Sequence, residues 1–65
     1  MSFKKIDKLL RQNGWVLVRV KGSHFQYKKC GFNYLAVVPN HGSKDISIGV
    51  LRSLEKGTGL SLFMR

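Results

Sequence analysis

A chain of 65 residues has room for one small domain, and its 12 Lys and Arg against three acids give a formal charge of +9 at pH 7. This charge favours a polyanionic partner, either nucleic acid or an acidic protein, because it speeds association and releases counterions. A single cysteine excludes an internal disulfide, and no stretch approaches the ~20 apolar residues of a membrane span. We expect one folded domain over residues 1–65, located in the cytoplasm and without membrane association.

Hydrophobic periodicity predicts a helix near each end of the chain. Ser2 can cap a helix over residues 3–13, where apolar residues recur every three or four positions. A second helix is predicted to begin near Ser47 and to end at Gly57. For residues 58–65 the sequence predicts no structure, although their apolar side chains should pack against the sheet or a second copy of the chain.

Three short strands are predicted between the helices. "WVLVRV" (15–20) is β-branched and aromatic, "HFQYK" (24–28) alternates polar and aromatic residues, and "YLAVV" (34–38) is closed by Pro39. Short turns between neighbouring strands favour an antiparallel meander. The element order predicts an α+β fold of the α-β-β-β-α type, a three-stranded antiparallel sheet with two helices on one face. Double-stranded RNA-binding domains have this arrangement.

The period of two along a strand predicts which side chains share a face of the sheet. Across an even-numbered loop, the valines of the first strand should join the aromatic residues of the second beneath the helices. The solvent face should then carry His24 and two cations. The helix-covered set is Val16, Val18, Val20, Phe25 and Tyr27, and the solvent set is Trp15, Leu17, Arg19, His24, Gln26 and Lys28.

The stretch "KGSH" (21–24) is the candidate site. Its glycine lets a ligand approach the backbone, its serine offers a hydroxyl, and imidazole exchanges protons near neutral pH. Neighbouring cations could bind phosphates or stabilise charge that develops in a transition state. On spacing alone, an ordinary hairpin turn followed by a surface histidine explains the same residues. The candidates are His24 for catalysis and Arg19, Lys21, Gly22, Ser23 and Lys28 for RNA binding.

Two further residues have alternative roles. His41 could act as an acid or base, but a loop histidine more often orders its loop through a hydrogen bond to the backbone, which is the interpretation we favour. Trp15 could stack on a nucleobase, although we favour a partly buried hydrophobe beside the first helix. One Cys and two His without tight spacing do not make a structural zinc site, so neither a metal nor a cofactor is expected.

Several segments read in order resemble one protein family over nearly the whole chain. "LLRQNGWVLVRVKGSHFQYKK", "VVPNHG" and "IGVLRSLEKGTGLS" are similar to the HicA (YcfA-like) toxins of bacterial toxin–antitoxin pairs. The resemblance implies a fold like that of double-stranded RNA-binding domains, cleavage of mRNA, and growth arrest as a stress response. It also implies a HicB-type antitoxin that covers the active site, with oligomers formed through that antitoxin left open. The family's catalytic histidine corresponds to His24.

Three hypotheses follow for the function. The chain is a metal-independent endoribonuclease with His24 as general acid or base, a non-catalytic RNA-binding module, or a domain that docks an acidic protein. The endoribonuclease hypothesis requires few catalytic groups. RNA supplies its own 2′-hydroxyl nucleophile, so the enzyme needs only a base, an acid and charge stabilisation. The sequence predicts neither the second proton carrier nor the ends of the products.

Overall fold

The chain forms an α+β domain in which both helices and the sheet share one core. A computed structural model describes residues 1–42 and 44–62. The strands form a single antiparallel sheet in the order β1-β2-β3. The predicted α-β-β-β-α fold is confirmed, and every boundary lies within two residues of its predicted position. The elements are α1 (Phe3–Gln12), β1 (Val16–Lys21), β2 (His24–Lys28), β3 (Ala36–Pro39) and α2 (Ile48–Thr58).

Serine caps set the start of both helices. The hydroxyl of Ser2 accepts a hydrogen bond from the N–H of Lys5, and that of Ser47 accepts one from the N–H of Val50, each at 3.4 Å. Each serine thereby satisfies one of the backbone donors that a helix leaves free at its N-terminus. α2 ends at Thr58 and is capped by Gly59, whose φ of 75° is the left-handed conformation that glycine adopts at low cost.

The segment after α2 closes the core, although the sequence predicted no structure for it. Leu62 is 2% exposed, and its N–H donates to Oε2 of Glu55 at 2.7 Å. Leu62 is thus buried in the core of its own chain, whereas the predicted packing of this segment against the sheet or a second copy stays a prediction and residues 63–65 lie outside the described residues. The buried hydrophobic residues of the described chain are Ile6, Leu10, Trp15, Tyr27, Ala36, Val38, Ile46, Leu51, Leu54 and Leu62.

A β-bulge in β1 decides which of its side chains face the core. The register between β1 and β2 shifts between Leu17 and Arg19, so that Leu17 instead of Val18 lies opposite Tyr27. A shift of one residue moves the side chains on its far side to the other face of the sheet. The bulge therefore turns Leu17 and Trp15 inward while Arg19 keeps its outward position.

The prediction that the helices cover the valines of β1 is wrong for Val16 and Val18. Val20 is paired with Phe25 on the predicted face but stays partly exposed. The indole of Trp15, predicted on the solvent face, is 1% exposed and packs against the rings of Phe32 and Tyr34, with centroid distances of 5.1 and 6.2 Å. A side chain so deeply buried cannot stack on a nucleobase, so Trp15 is a core residue. The exposed fractions of the valines are 60% for Val16, 53% for Val18 and 47% for Val20.

A buried tyrosine joins β2 to α1. The hydroxyl of Tyr27, which is 0% exposed, donates to Oδ1 of Asp7 at 2.5 Å, and Nε of Arg11 donates to the same oxygen at 2.9 Å. A hydrogen bond to an ionised acceptor is stronger than one between neutral groups. Burial, and after it the bond to Asp7, raises the pKa of Tyr27 above its ordinary value of 10.0.

The helix α2 packs closely against the segment before β3. A Cβ atom at Gly57 would overlap the ring of Tyr34, whose hydroxyl donates to the carbonyl oxygen of Ser53 at 3.4 Å. The φ angle of Gly57 is not in the left-handed region. Glycine is therefore needed at this position because it lacks a side chain.

Gly57→Ala should lower the free energy of unfolding by about 1–3 kcal/mol, because the ring of Tyr34 must leave its place against α2. Gly49→Ala is the matched control, since it lies in the same helix and a Cβ there meets no atom within 4 Å. Urea unfolding followed by circular dichroism measures both variants. Equal free energies of unfolding for the two variants would contradict the prediction, because they would show that the ring of Tyr34 moves without a loss of stability.

Tyr27→Phe should lower the free energy of unfolding by about 1.5 kcal/mol at pH 7, because it removes a hydrogen bond to a charged group. The pKa of Tyr27 is higher in the folded chain than in the unfolded chain, where it is about 10. The hydrogen bond therefore contributes its full stabilisation below about pH 10, and this contribution decreases as the pH rises further. The difference in stability between wild type and Tyr27→Phe should therefore shrink above pH 10. Urea titrations between pH 7 and pH 11 test this, and a difference that grows above pH 10 contradicts it.

Candidate active site on the sheet

The strand register gathers the predicted site residues on the sheet face away from the core, which we call the site face. Directly paired residues of antiparallel strands have side chains on the same face, with Cβ atoms about 4.5–5.5 Å apart. His24 and the cations Arg19, Lys21 and Lys28 all lie on this face. Its rows across the strands are Lys21, His24 and Pro39; Arg19, Gln26 and Val37; and Val16 and Lys28.

The backbone of His24 is held on both sides by the sheet. It is the first residue of the middle strand and is paired with Lys21 on β1 and with Pro39 on β3. Its side chain is exposed, and it makes no hydrogen bond to any of residues 1–42 and 44–62. The fold therefore fixes the backbone of His24 on both sides while leaving the imidazole accessible.

A tight turn of two residues precedes His24. Gly22 has a φ of 60° and Ser23 has no positive φ, which is the pattern of a type II′ hairpin turn. The carbonyl oxygen of Ser23 accepts a hydrogen bond of 2.7 Å from the N–H of Asn40. A Cβ at Gly22 would have no atom within 4 Å. Gly22 thus provides the positive φ that the turn requires, and the space beside it lets a ligand approach the backbone.

A cleft of about 400 Å³ lies beside His24, between the end of β3 and the start of α2. Both histidines of the chain, His24 and His41, line it. His41 is exposed and has no hydrogen-bond partner within residues 1–42 and 44–62, so these residues do not support the interpretation that it orders its loop through such a bond. The cleft is lined by His24, Pro39, His41, Lys44, Asp45, Ile46, Ser47 and Val50.

The proximity of the two histidines was not predicted from the sequence, although the sequence holds a signal for it. Pro39 closes the third predicted strand and lies opposite His24 in the sheet. His41 follows two residues later, and side chains two apart on an extended chain point to the same side. The register of β2 against β3, which the sequence does not specify, was needed to bring them together.

Positive charge on the site face is not compensated by nearby carboxylates. The three strands contain no Asp or Glu. The site cations form no ion pair within the described part of the chain. Asp7 and Glu55 make structural hydrogen bonds to Tyr27 and Leu62, and Asp45 is the acid that lines the cleft. The site face is therefore suited to a ligand that carries negative charge.

The sequence matches the family described as "HicA toxin of bacterial toxin-antitoxin" over residues 3–60. The chain belongs to the HicA toxin family. The predicted resemblance is confirmed, and the matched range contains every helix and strand and all of the predicted site residues. Toxins of this family are generally ribonucleases, and membership implies a cognate antitoxin. A search of curated proteins finds no match to the sequence.

The described residues of this HicA-family toxin contain neither a membrane-spanning helix nor a metal-binding cluster. No helix within residues 1–42 and 44–62 is long and apolar enough to cross a membrane. The same residues contain no cluster of three or more His, Cys, Asp or Glu side chains that could hold a metal ion. Independence from metal and cofactor stays a prediction about the reaction, to be tested by chelation.

Proposed function

We propose that this HicA-family toxin is an endoribonuclease that cleaves mRNA in the cytoplasm without a metal ion, with His24 as a general acid or base. The observation that carries the proposal is the setting of His24. Its imidazole is exposed on the middle strand, Lys21 lies directly opposite on β1, and a cleft opens beside it. His24 as a proton carrier, Lys21 as a permanent positive charge and space for a substrate thus lie next to one another.

The chemistry requires two proton transfers around one phosphate. The 2′-oxygen of a ribose forms a bond to phosphorus while the bond from phosphorus to the 5′-oxygen of the next nucleotide breaks. A base takes the proton of the 2′-hydroxyl, and an acid gives a proton to the leaving 5′-oxygen. His24 carries one of these protons, and the ammonium group of Lys21 stabilises the charge that builds up on the phosphate oxygens. The products end in a 2′,3′-cyclic phosphate and a 5′-hydroxyl.

RNA is held on the site face through its phosphates. Arg19, Lys21 and Lys28 lie on neighbouring rows of this face and form no ion pair within residues 1–42 and 44–62, so each is available to an RNA phosphate. The turn at Gly22 and Ser23 lets the RNA backbone approach the protein backbone next to His24. Binding that depends on these cations weakens as salt concentration rises.

A HicB-type antitoxin inhibits the toxin by covering the site face. The same uncompensated positive charge that attracts RNA attracts an acidic protein surface. A partner seated over the rows of Lys21 and Arg19 blocks His24 and the cleft from RNA. In this proposal, any higher oligomer of the complex forms through the antitoxin.

His24→Ala should lower the rate of RNA cleavage in EDTA by about 10²-fold or more, the usual contribution of a general acid or base. The variant should fold normally, with an unfolding free energy within about 0.5 kcal/mol of wild type, because the imidazole is exposed and has no described partner. Gln26→Ala, a change on the same face and strand, is the matched control and should keep activity. Cleavage of a defined RNA, with circular dichroism as the folding check, measures all three proteins.

Other results would separate the alternatives. Undiminished cleavage by folded His24→Ala would remove the histidine from the mechanism. If wild type binds RNA in a salt-dependent manner but does not cut it, with or without added divalent metal, the protein is a non-catalytic RNA-binding module. Absence of RNA binding at moderate salt would leave the docking of an acidic protein as the function of the site face.

A further inference from the structure

We infer that His41 is the second proton carrier of the reaction and forms an acid–base pair with His24. The inference rests on the proposed function and assigns to a named side chain the proton transfer that His24 does not perform. Three observations support it: the course of the chain after β3, the shared cleft, and the accessibility of the imidazole of His41.

The backbone brings His41 to the side of the sheet on which His24 lies. Pro39 is paired with His24, and the N–H of Asn40 donates to the carbonyl oxygen of Ser23 at 2.7 Å, which continues the contact between these segments by one residue beyond β3. His41 is the next residue, two positions after Pro39. His41 therefore leaves the sheet beside the end of β2 at which His24 lies.

The cleft gives both imidazoles access to one ligand. His24 and His41 line the same space of about 400 Å³, both are exposed, and neither makes a hydrogen bond within residues 1–42 and 44–62. The charged groups that border this space are Lys44 and Asp45, from the loop that also carries His41, while Lys21 adjoins His24 on the neighbouring strand. Imidazole differs from these side chains in being able both to accept and to donate a proton near neutral pH.

Two separate carriers suit the geometry of phosphodiester cleavage. The attacking 2′-oxygen and the leaving 5′-oxygen stand roughly in line on opposite sides of the phosphorus atom. Each must come within about 2.6–3.2 Å of the group that moves its proton. One side chain does not reach both oxygens in a single transition state, whereas two imidazoles that line one cleft can enclose the phosphate between them.

The first test compares His41→Gln and His41→Ala with wild type in EDTA, after circular dichroism shows that they are folded. Both should lower kcat/KM by about 10²-fold or more. Wild type should show a bell-shaped dependence of kcat/KM on pH, and His41→Gln should lose one of its two limbs. Lys44→Ala is the control within the same cleft and should keep both limbs, because a fixed cation contributes charge and not the titration of an acid–base pair.

The second test uses an RNA whose scissile 5′-oxygen is replaced by sulfur. The leaving thiolate needs no proton, so this substrate should restore the rate of the variant that has lost the general acid and of that variant only. Rescue of either His24→Ala or His41→Gln, with the other still slow, supports the pair and identifies the acid. Rescue of both or of neither contradicts it.

The outcomes distinguish this inference from the proposed function. If wild type does not cleave RNA, the proposed function fails and the inference fails with it. If wild type cleaves and His24→Ala does not, while His41→Gln keeps both limbs and a kcat/KM within about threefold of wild type, the function stands and His41 is not the second carrier.

Discussion

The one-residue bulge in β1 is the constraint on which the rest of the structure depends. On its N-terminal side it turns Leu17 and Trp15 into the core, and on its C-terminal side it leaves Arg19 and Lys21 on the face that carries His24. A strand of strict alternation would place Trp15 and Arg19 on the same side. The bulge allows one strand to complete a small core and to supply two of the three cations of the site face, Arg19 and Lys21.

Two of the three acids of the chain, Asp7 and Glu55, serve the fold away from the strands. Asp7 binds the buried hydroxyl of Tyr27 and thereby joins β2 to α1, and Glu55 accepts the N–H of Leu62 and holds the segment after α2. Neither carboxylate lies on the site face. The same arrangement that stabilises the covered side of the sheet therefore leaves positive charge uncompensated on the other side, where a polyanion can bind.

The elements were predictable from the sequence because local signals agree: serine caps, glycine ends, and short β-branched runs between turns. The faces of β1 were not predictable, since residues 15–18 are all apolar and fit either orientation. Packing decides in favour of Trp15 and Leu17, because larger side chains remove more apolar surface from water than valines do. Likewise "GSH" identified a candidate site, but only the pairing of β2 with β3 showed that His41 borders it.

The central claim is that the site face cleaves RNA through the 2′-hydroxyl of the substrate. Mass spectrometry of the fragments that wild type releases from a defined RNA in EDTA tests it most directly. Our account predicts a 2′,3′-cyclic phosphate on one fragment and a 5′-hydroxyl on the other. Fragments that end in a 3′-hydroxyl and a 5′-phosphate would contradict it, because those ends arise when water and not the 2′-oxygen attacks phosphorus.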